Sequence, residues 1–345
     1  MAGRFYTTIC LVQMTDNNPE KNQQYRINRR TALKLAGLTG SGIGLSGTAL
    51  AGNGARGAGQ ATPGWARINP ERTPPWVEMS AAYQGQAQNL WFVEFAAPST
   101  ARGGSPSAHA SERAQFRAEA RKENVSYTRR RDFSTLWNGL SVRADPPNVV
   151  GLRGLDSVTG VYPVAVIQQT AAGAGGPSPD LETAIGMTGG DTVHDLGYTG
   201  QGLSIAVVDT GVDYNHPDLG GSGDQNVSYT ARSDDDRTLT DESGDPHPRL
   251  SHGWDYVGSE FDASDPESPP PEPDPDPMDT NGHGTHVTGI AGAEAASEDG
   301  VTGLAPEATL GGYKVFAEGS STADIIVEAL EDAFEDGMDV VNMSL

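Results

Sequence analysis

Short apolar runs alternate with polar, glycine-rich turns along most of this chain, and their periods sort into strands and helices. Between residues 81 and 170, Leu90–Phe95 has the aromatic and β-branched content of a strand. Ser126–Phe133, Gly139–Arg143 and Val158–Ile167 read as three more. Ser111–Asn124 is polar and helix-forming, with Phe116 and Ala120 at i and i+4, and Asn148–Leu155 reads as a second, shorter helix. The order β-α-β-β-α-β is that of a ferredoxin-like split βαβ unit. That fold hosts many functions, so the order alone assigns none. Further on, Gly200–Gly202 signals a turn, and Leu203–Val208 (Leu-Ser-Ile-Ala-Val-Val) is apolar almost without a break, as a parallel strand buried on both faces would be. Asn281–Gly292 is a polar turn running into a helix of small residues.

The chain ahead of these elements reads differently. Residues 52–80 are rich in Gly, Ala and Pro and form a linker by composition. Before them, Asn28-Arg29-Arg30-Thr31-Ala32-Leu33-Lys34-Leu35 leads into a weakly apolar stretch, Ala36 to Leu50, closed by the small-x-small site Ala49-Leu50-Ala51. A charged region, an apolar region and a cleavage site make a secretory signal. Arg29-Arg30 resembles a twin-arginine signal, which implies export to the extracellular space in a folded state. The 28 residues ahead of the Arg pair are long for such a signal, and Met14 is an alternative start. Either way Cys10, the single cysteine, is removed with the signal. No apolar run reaches the ~18–20 residues that span a bilayer, so no stable membrane span is expected after signal removal. The organisation predicted is therefore a signal region (1–51), a linker (52–80), a small α+β module (81–170) and a larger α/β segment (171–345).

Charge sharpens that division. The 345 residues carry a net charge of -23, but residues 1–51, 52–170 and 171–345 sum to +4, +4 and -31 (Lys+Arg 6, 13 and 4; Asp+Glu 2, 9 and 35). So acidic a chain does not bind nucleic acid by charge. Arg129-Arg130-Arg131 is accordingly expected to be a solvated strand face rather than a nucleic-acid patch. A lone cysteine excludes an internal disulfide framework and a CxxC metal knuckle. Acid-rich, Lys-poor composition resembles that of proteins from salt-loving archaea, where a Debye length of ~3 Å at molar salt screens self-repulsion. An acidic secreted protein from an ordinary source is the alternative.

The candidate chemistry sits in the acidic segment. Asp209 ends the run Leu203–Val208, at the carboxyl end of a strand where open α/β sheets place their sites. A buried Asp needs a partner; without one nearby it would be a turn cap. His283 stands at the entrance of the small-residue helix. An Asp bonded to one imidazole nitrogen fixes the tautomer and leaves the other nitrogen to take a proton from a nucleophile. A metal site using His283, His286 and Asp209 is the rival, but the zinc-protease pattern spaces its histidines by four with a Glu after the first, where Gly284 stands here. His286 by itself reads as a buried structural histidine.

Taken together, Asp209-Thr210-Gly211-Val212, His216-Pro217-Asp218-Leu219 and Gly282-His283-Gly284-Thr285-His286-Val287 resemble, in this order, the subtilisin-like serine proteases. The resemblance continues through Gly303-Leu304-Ala305-Pro306, a strand at Thr309–Val315, a helix at Ala323–Phe334 and a strand at Asp339–Leu345. It implies a parallel sheet flanked by helices, incomplete here, preceded by an inhibitor-type prodomain in the 81–170 module. It also implies a serine endopeptidase acting on peptide and protein substrates, with Asp209 orienting the base and His283 as general base. Ser344 and Leu345 would begin the edge where an extended substrate pairs as an added strand. Asp218 matches a calcium ligand of many members, and no organic cofactor is implied. Ca²⁺ takes 6–8 oxygens, of which one is placed.

Two departures from the family stand out. Residues 220–278 form an acidic, proline-rich insertion ending in Pro269–Pro277, expected to be a solvated surface loop. No Gly-Thr-Ser occurs in the sequence, so the nucleophile of the family's Gly-Thr-Ser-Met-Ala-like motif is absent and the chain alone is expected not to hydrolyse peptides. A precursor's N-terminal part is the leading expectation, with prodomain cleavage in Gln168–Pro179. A non-catalytic truncated product acting as a prodomain inhibitor is the alternative, and a metal-dependent hydrolase the third.

Overall fold

In the computed structural model, two sheets organise the described residues, which are 10–13, 83–169, 181–298, 300–317 and 319–345. The signal region apart from Cys10–Gln13, the linker, and most of the expected processing segment lie outside them.

The first sheet belongs to the module. Its strands are β2 (Tyr83–Glu94), β3 (Thr128–Phe133), β4 (Gly139–Arg143) and β5 (Gly160–Gln168), with helices α1 (Pro106–Lys122) and α2 (Pro146–Arg153) between them. The order β5-β2-β4-β3, with antiparallel pairs throughout, is the split βαβ arrangement. α1 begins where Ser105 accepts the Ala108 N–H, with Pro106 in the first turn. Its buried Phe116 and Ala120 pack on Trp91, Val93, Leu140 and Val142.

The second sheet is parallel and buried on both faces. Its order is β12 (Val340–Met343), β6 (Ser204–Asp209), β10 (Thr309–Lys314) and β9 (Leu250–Asp255), with β1 (Cys10–Gln13) antiparallel outside β12. Short helices α3 (Leu181–Thr188) and α4 (Gly190–Asp195) precede β6, and a small hairpin, β7 (Thr230–Ala231) with β8 (Leu239–Thr240), precedes β9. α5 (His283–Gly292) covers one face through Ala291, beside Ile205, Leu310 and Leu250. α6 (Ala323–Glu335) covers the other with Ile325, Ile326, Ala329, Leu330 and Ala333 against Ala206, Val208, Tyr313 and Val341. That apolar stripe, at helical spacing, fixes how α6 lies on the sheet.

The insertion is not simply a solvated loop. Leu250–Asp255 inside it supplies β9, in register with β10 through Gly311↔His252, Tyr313↔Trp254 and Lys314↔Asp255. An edge strand that reads Leu-Ser-His-Gly-Trp-Asp has no apolar run to announce it. The proline-rich tail is also tied down: Asp255 and Asp274 exchange backbone hydrogen bonds at 3.0 and 2.9 Å, and the Pro277 carbonyl accepts the Val212 N–H at 2.9 Å.

In the arginine run Arg129 is exposed, but its two neighbours are not solvated. The Arg130 and Arg131 side chains are only 16% and 10% exposed, because they meet Asp324 of α6, which is fully buried. Arg131 also pairs with Glu328. Glu331 accepts the N–H groups of Ser134, Thr135, Leu136 and Trp137, and Thr135 donates its hydroxyl to Glu335. Asp324, Glu328, Glu331 and Glu335 recur at i, i+4, i+7 and i+11, so one acidic stripe of α6 faces the module. β11 (Ser320–Thr322) adds to the module's sheet beside β5, pairing Ser321 with Ile167.

Candidate active site

β6 runs through the core and delivers Asp209 at its carboxyl end, 1% exposed. α5 begins at His283, and the imidazole Nδ1 lies 2.7 Å from Asp209 Oδ1. The same oxygen accepts the Thr210 N–H at 2.7 Å. The carboxylate therefore has two donors, and the imidazole is held by Nδ1, which leaves Nε2 as the nitrogen able to exchange a proton. The Asp209 hydrogen bond raises the His283 pKa above the ordinary histidine value; burial opposes this, and the charges of Asp209 and Asp279 add to it.

Two glycines make this closeness sterically allowed. Gly211 has φ +110°, and a Cβ there would lie 2.5 Å from the Pro277 carbonyl oxygen. A Cβ on Gly284 would lie 2.2 Å from the Gly211 carbonyl oxygen. The turn after β6 and the first turn of α5 thus touch backbone to backbone, bridged by the Gly284 N–H donating to Thr210 Oγ1 at 2.8 Å.

Sequence reasoning missed Asp279. Its Oδ1 accepts from Thr210 Oγ1 (3.0 Å), Asn281 N and Gly282 N (both 2.9 Å), and its Oδ2 accepts from Thr285 N (2.8 Å) and Thr285 Oγ1 (2.6 Å). Burial works against the charged form, yet these donors hold its pKa below the usual carboxylate value. The available signal was an acidic residue just ahead of a helix start, which the positive end of the helix favours. Lys314 and Asp255 were also missed. They form a buried pair at 2.9 Å, and the register Asp255↔Lys314↔Asp209 lines the three up along the carboxyl ends of β9, β10 and β6.

The other expected residues fall in different places. Ser344 is buried just past β12, where Asn342 Nδ2 donates to its Oγ at 3.2 Å, and Leu345 packs against the core. With Asn342 opposite Val207, both sit at the same sheet edge as Asp209, one strand away. His286 is exposed, not buried. The buried face of α5 runs through His283, Gly284, Val287, Thr288 and Gly292, and position 286 falls outside it. His283 and His286 therefore do not converge as metal ligands. Asp218 Oδ1 accepts the Ala296 N–H at 2.9 Å and Oδ2 the Val301 N–H at 3.0 Å. The carboxylate anchors the backbone at Ala296 and Val301.

The module reaches this site. Gln169, just beyond β5, donates its side-chain N–H to Asn281 Oδ1 at 2.9 Å, two residues before His283.

Residues 200–345 match the family model of the subtilases. The chain is 29% identical over 223 residues to the minor extracellular protease Vpr of Bacillus subtilis, covering 62% of this chain and 23% of that one. It is 32% identical over 156 residues to a thermophilic serine proteinase of Bacillus sp. strain AK1 (45% and 29% covered). It is 31% identical over 155 residues to the halolysin of Haloferax mediterranei (45% and 23% covered). The chain spans less than a third of the length of each of these curated relatives. Among solved structures, an S393A mutant of the epidermin leader peptide processing serine protease of Staphylococcus aureus aligns at 18% identity and TM-score 0.47, covering 74% of this chain and 49% of that one.

Proposed function

We propose that residues 200–345, which match the subtilase family model, are part of a serine endopeptidase in which Asp209 and His283 are the orienting acid and the general base. The observation that carries the proposal is the 2.7 Å hydrogen bond between His283 Nδ1 and the buried Asp209 carboxylate. Nδ1–H donates to Asp209, which fixes the tautomer and steadies the imidazolium. Nε2 takes the proton from a serine hydroxyl as it attacks the scissile carbonyl, then gives it to the departing amine. An extended peptide would pair along the edge that begins at Ser344 and Leu345.

The module would act as the intramolecular blocker of that cleft. Three contacts support this reading: β5 added to β11, Gln169 against Asn281 beside the base, and the acidic stripe of α6 answered by Arg130, Arg131 and four backbone N–H groups. Charge favours the match. The -31 segment has four cations of its own, and Arg232, Arg237, Arg249 and Lys314 are all paired with its own carboxylates. Export through the twin-arginine signal and work at high salt complete the proposal. The acid-rich composition and the likeness to a halolysin support the second.

The test is peptide hydrolysis by the protein expressed from its whole reading frame. Activity blocked by a serine-directed fluorophosphonate and abolished in His283→Ala is expected. Hydrolysis that survives His283→Ala would overturn the assignment.

A further inference from the structure

We infer that Asp279 is a positioning residue for the base: its carboxylate clamps the turn after β6 to the first turn of α5 and so holds His283 against Asp209. The inference rests on His283 being the general base. His283 sits on one element and Asp209 on another, and besides their own hydrogen bond Thr210 bridges the two. Its hydroxyl donates to Asp279 Oδ1 at 3.0 Å and accepts the Gly284 N–H at 2.8 Å. Asp279 also takes both donors of Thr285 and the N–H groups of Asn281 and Gly282. Thr285 Oγ1 in turn accepts the Asp213 N–H at 2.8 Å, so the clamp reaches the turn after β6 at a second point.

Five donors on one carboxylate keep it ionised in spite of its burial. It therefore places a fixed negative charge near the imidazole, beside that of Asp209. These two are the charged groups acting on His283, one from β6 and one from the turn ahead of α5. Asp279 touches neither the reacting atoms nor, in this geometry, the imidazole itself. It acts by place and by field, and a misplacement of ~1 Å at a reacting group costs on the order of a hundredfold in rate.

Two isosteric substitutions separate place from field. Asp279→Asn removes the charge and keeps the shape. Thr210→Val keeps both carboxylates and cuts the bridge to Gly284. The readouts are the His283 titration midpoint and the solvent-exchange rate of its Nδ1 proton, by NMR on the chain. Asp279→Asn is expected to lower the midpoint. Thr210→Val is expected to leave the midpoint near the parent value and to speed exchange several-fold. An unchanged midpoint in Asp279→Asn overturns the electrostatic half, and unchanged exchange in Thr210→Val overturns the clamp. Asp209→Asn is the control for the underlying reading. If it fails to lower the midpoint, the acid–base pair itself is wrong, whatever Asp279 does.

Discussion

Replacing both Arg130 and Arg131 by Ala is expected to undock the module from α6. Asp324 has no exposed side-chain surface, and the two guanidinium groups are its cationic partners, with Arg130 Nε at 3.0 Å and Arg131 Nη1 at 3.5 Å. Thr322 Oγ1 gives it one further donor at 2.5 Å. Stripping the cations leaves a buried carboxylate with no cationic partner, which costs about 3–5 kcal/mol. The reverse change, Asp324→Ala, should cost less, about 1–3 kcal/mol. The arginines lie nearer the surface and Arg131 keeps Glu328. The triple variant should recover part of the loss, a coupling of about 2 kcal/mol.

The assay is urea unfolding of the chain, together with hydrogen exchange at the amides of Ser134, Thr135, Leu136 and Trp137, which Glu331 holds only while the module is docked. Buried pairs are screened less than exposed ones, so the coupling should persist in molar salt. The Asp324 pKa is lowered because Arg131 and Arg130 outweigh its burial. The stabilisation is therefore present above the ordinary carboxylate pKa and is lost as pH falls through the lower folded value. A coupling under about 0.5 kcal/mol, or equal costs in both directions, would refute the reasoning and return the arginines to solvent.

Gly284→Ala should destabilise the chain by about 1–3 kcal/mol and lower the His283 pKa, because its Cβ would meet the Gly211 carbonyl at 2.2 Å and part the base from its acid; thermal unfolding and NMR titration check this. Asp332, raised by burial to about 7, binds a proton in the folded chain that the unfolded chain has already lost above the ordinary Asp value. Stability should thus decline as pH rises from about 4 to about 7, and Asp332→Asn should flatten that part of the stability–pH curve. Lys314→Met, which strands Asp255, should cost about 3–5 kcal/mol, and adding Asp255→Leu should restore much of it, as measured by denaturant midpoints.

The elements themselves were readable from the residues. Apolar runs are local, so Gly139–Arg143 and the run ending at Asp209 lie where the sequence puts them, within a residue or two, and the helix that the family resemblance implied from Ala323 starts there. The helix entrance at His283 and its crowded glycines were legible for the same reason, since close backbone approach demands Gly at fixed offsets. β9 was not, because an edge strand of mixed polarity has no pattern that its neighbours' acids and prolines do not drown.

Only the tertiary structure decided which charges are buried. Arg130 and Asp324 are 194 residues apart, His283 and Asp209 are 74 apart, and Asp279 reaches Thr210 across 69. Asp209 and His283 stand out through their motifs, but in the sequence Arg130, Asp324 and Asp279 are each one more charged residue in an asymmetric chain. Whether a charge stays in water or serves a site depends on what stands within a few ångströms of it in a low-dielectric interior. That is set by how the sheets and helices stack, and not by the residues on either side.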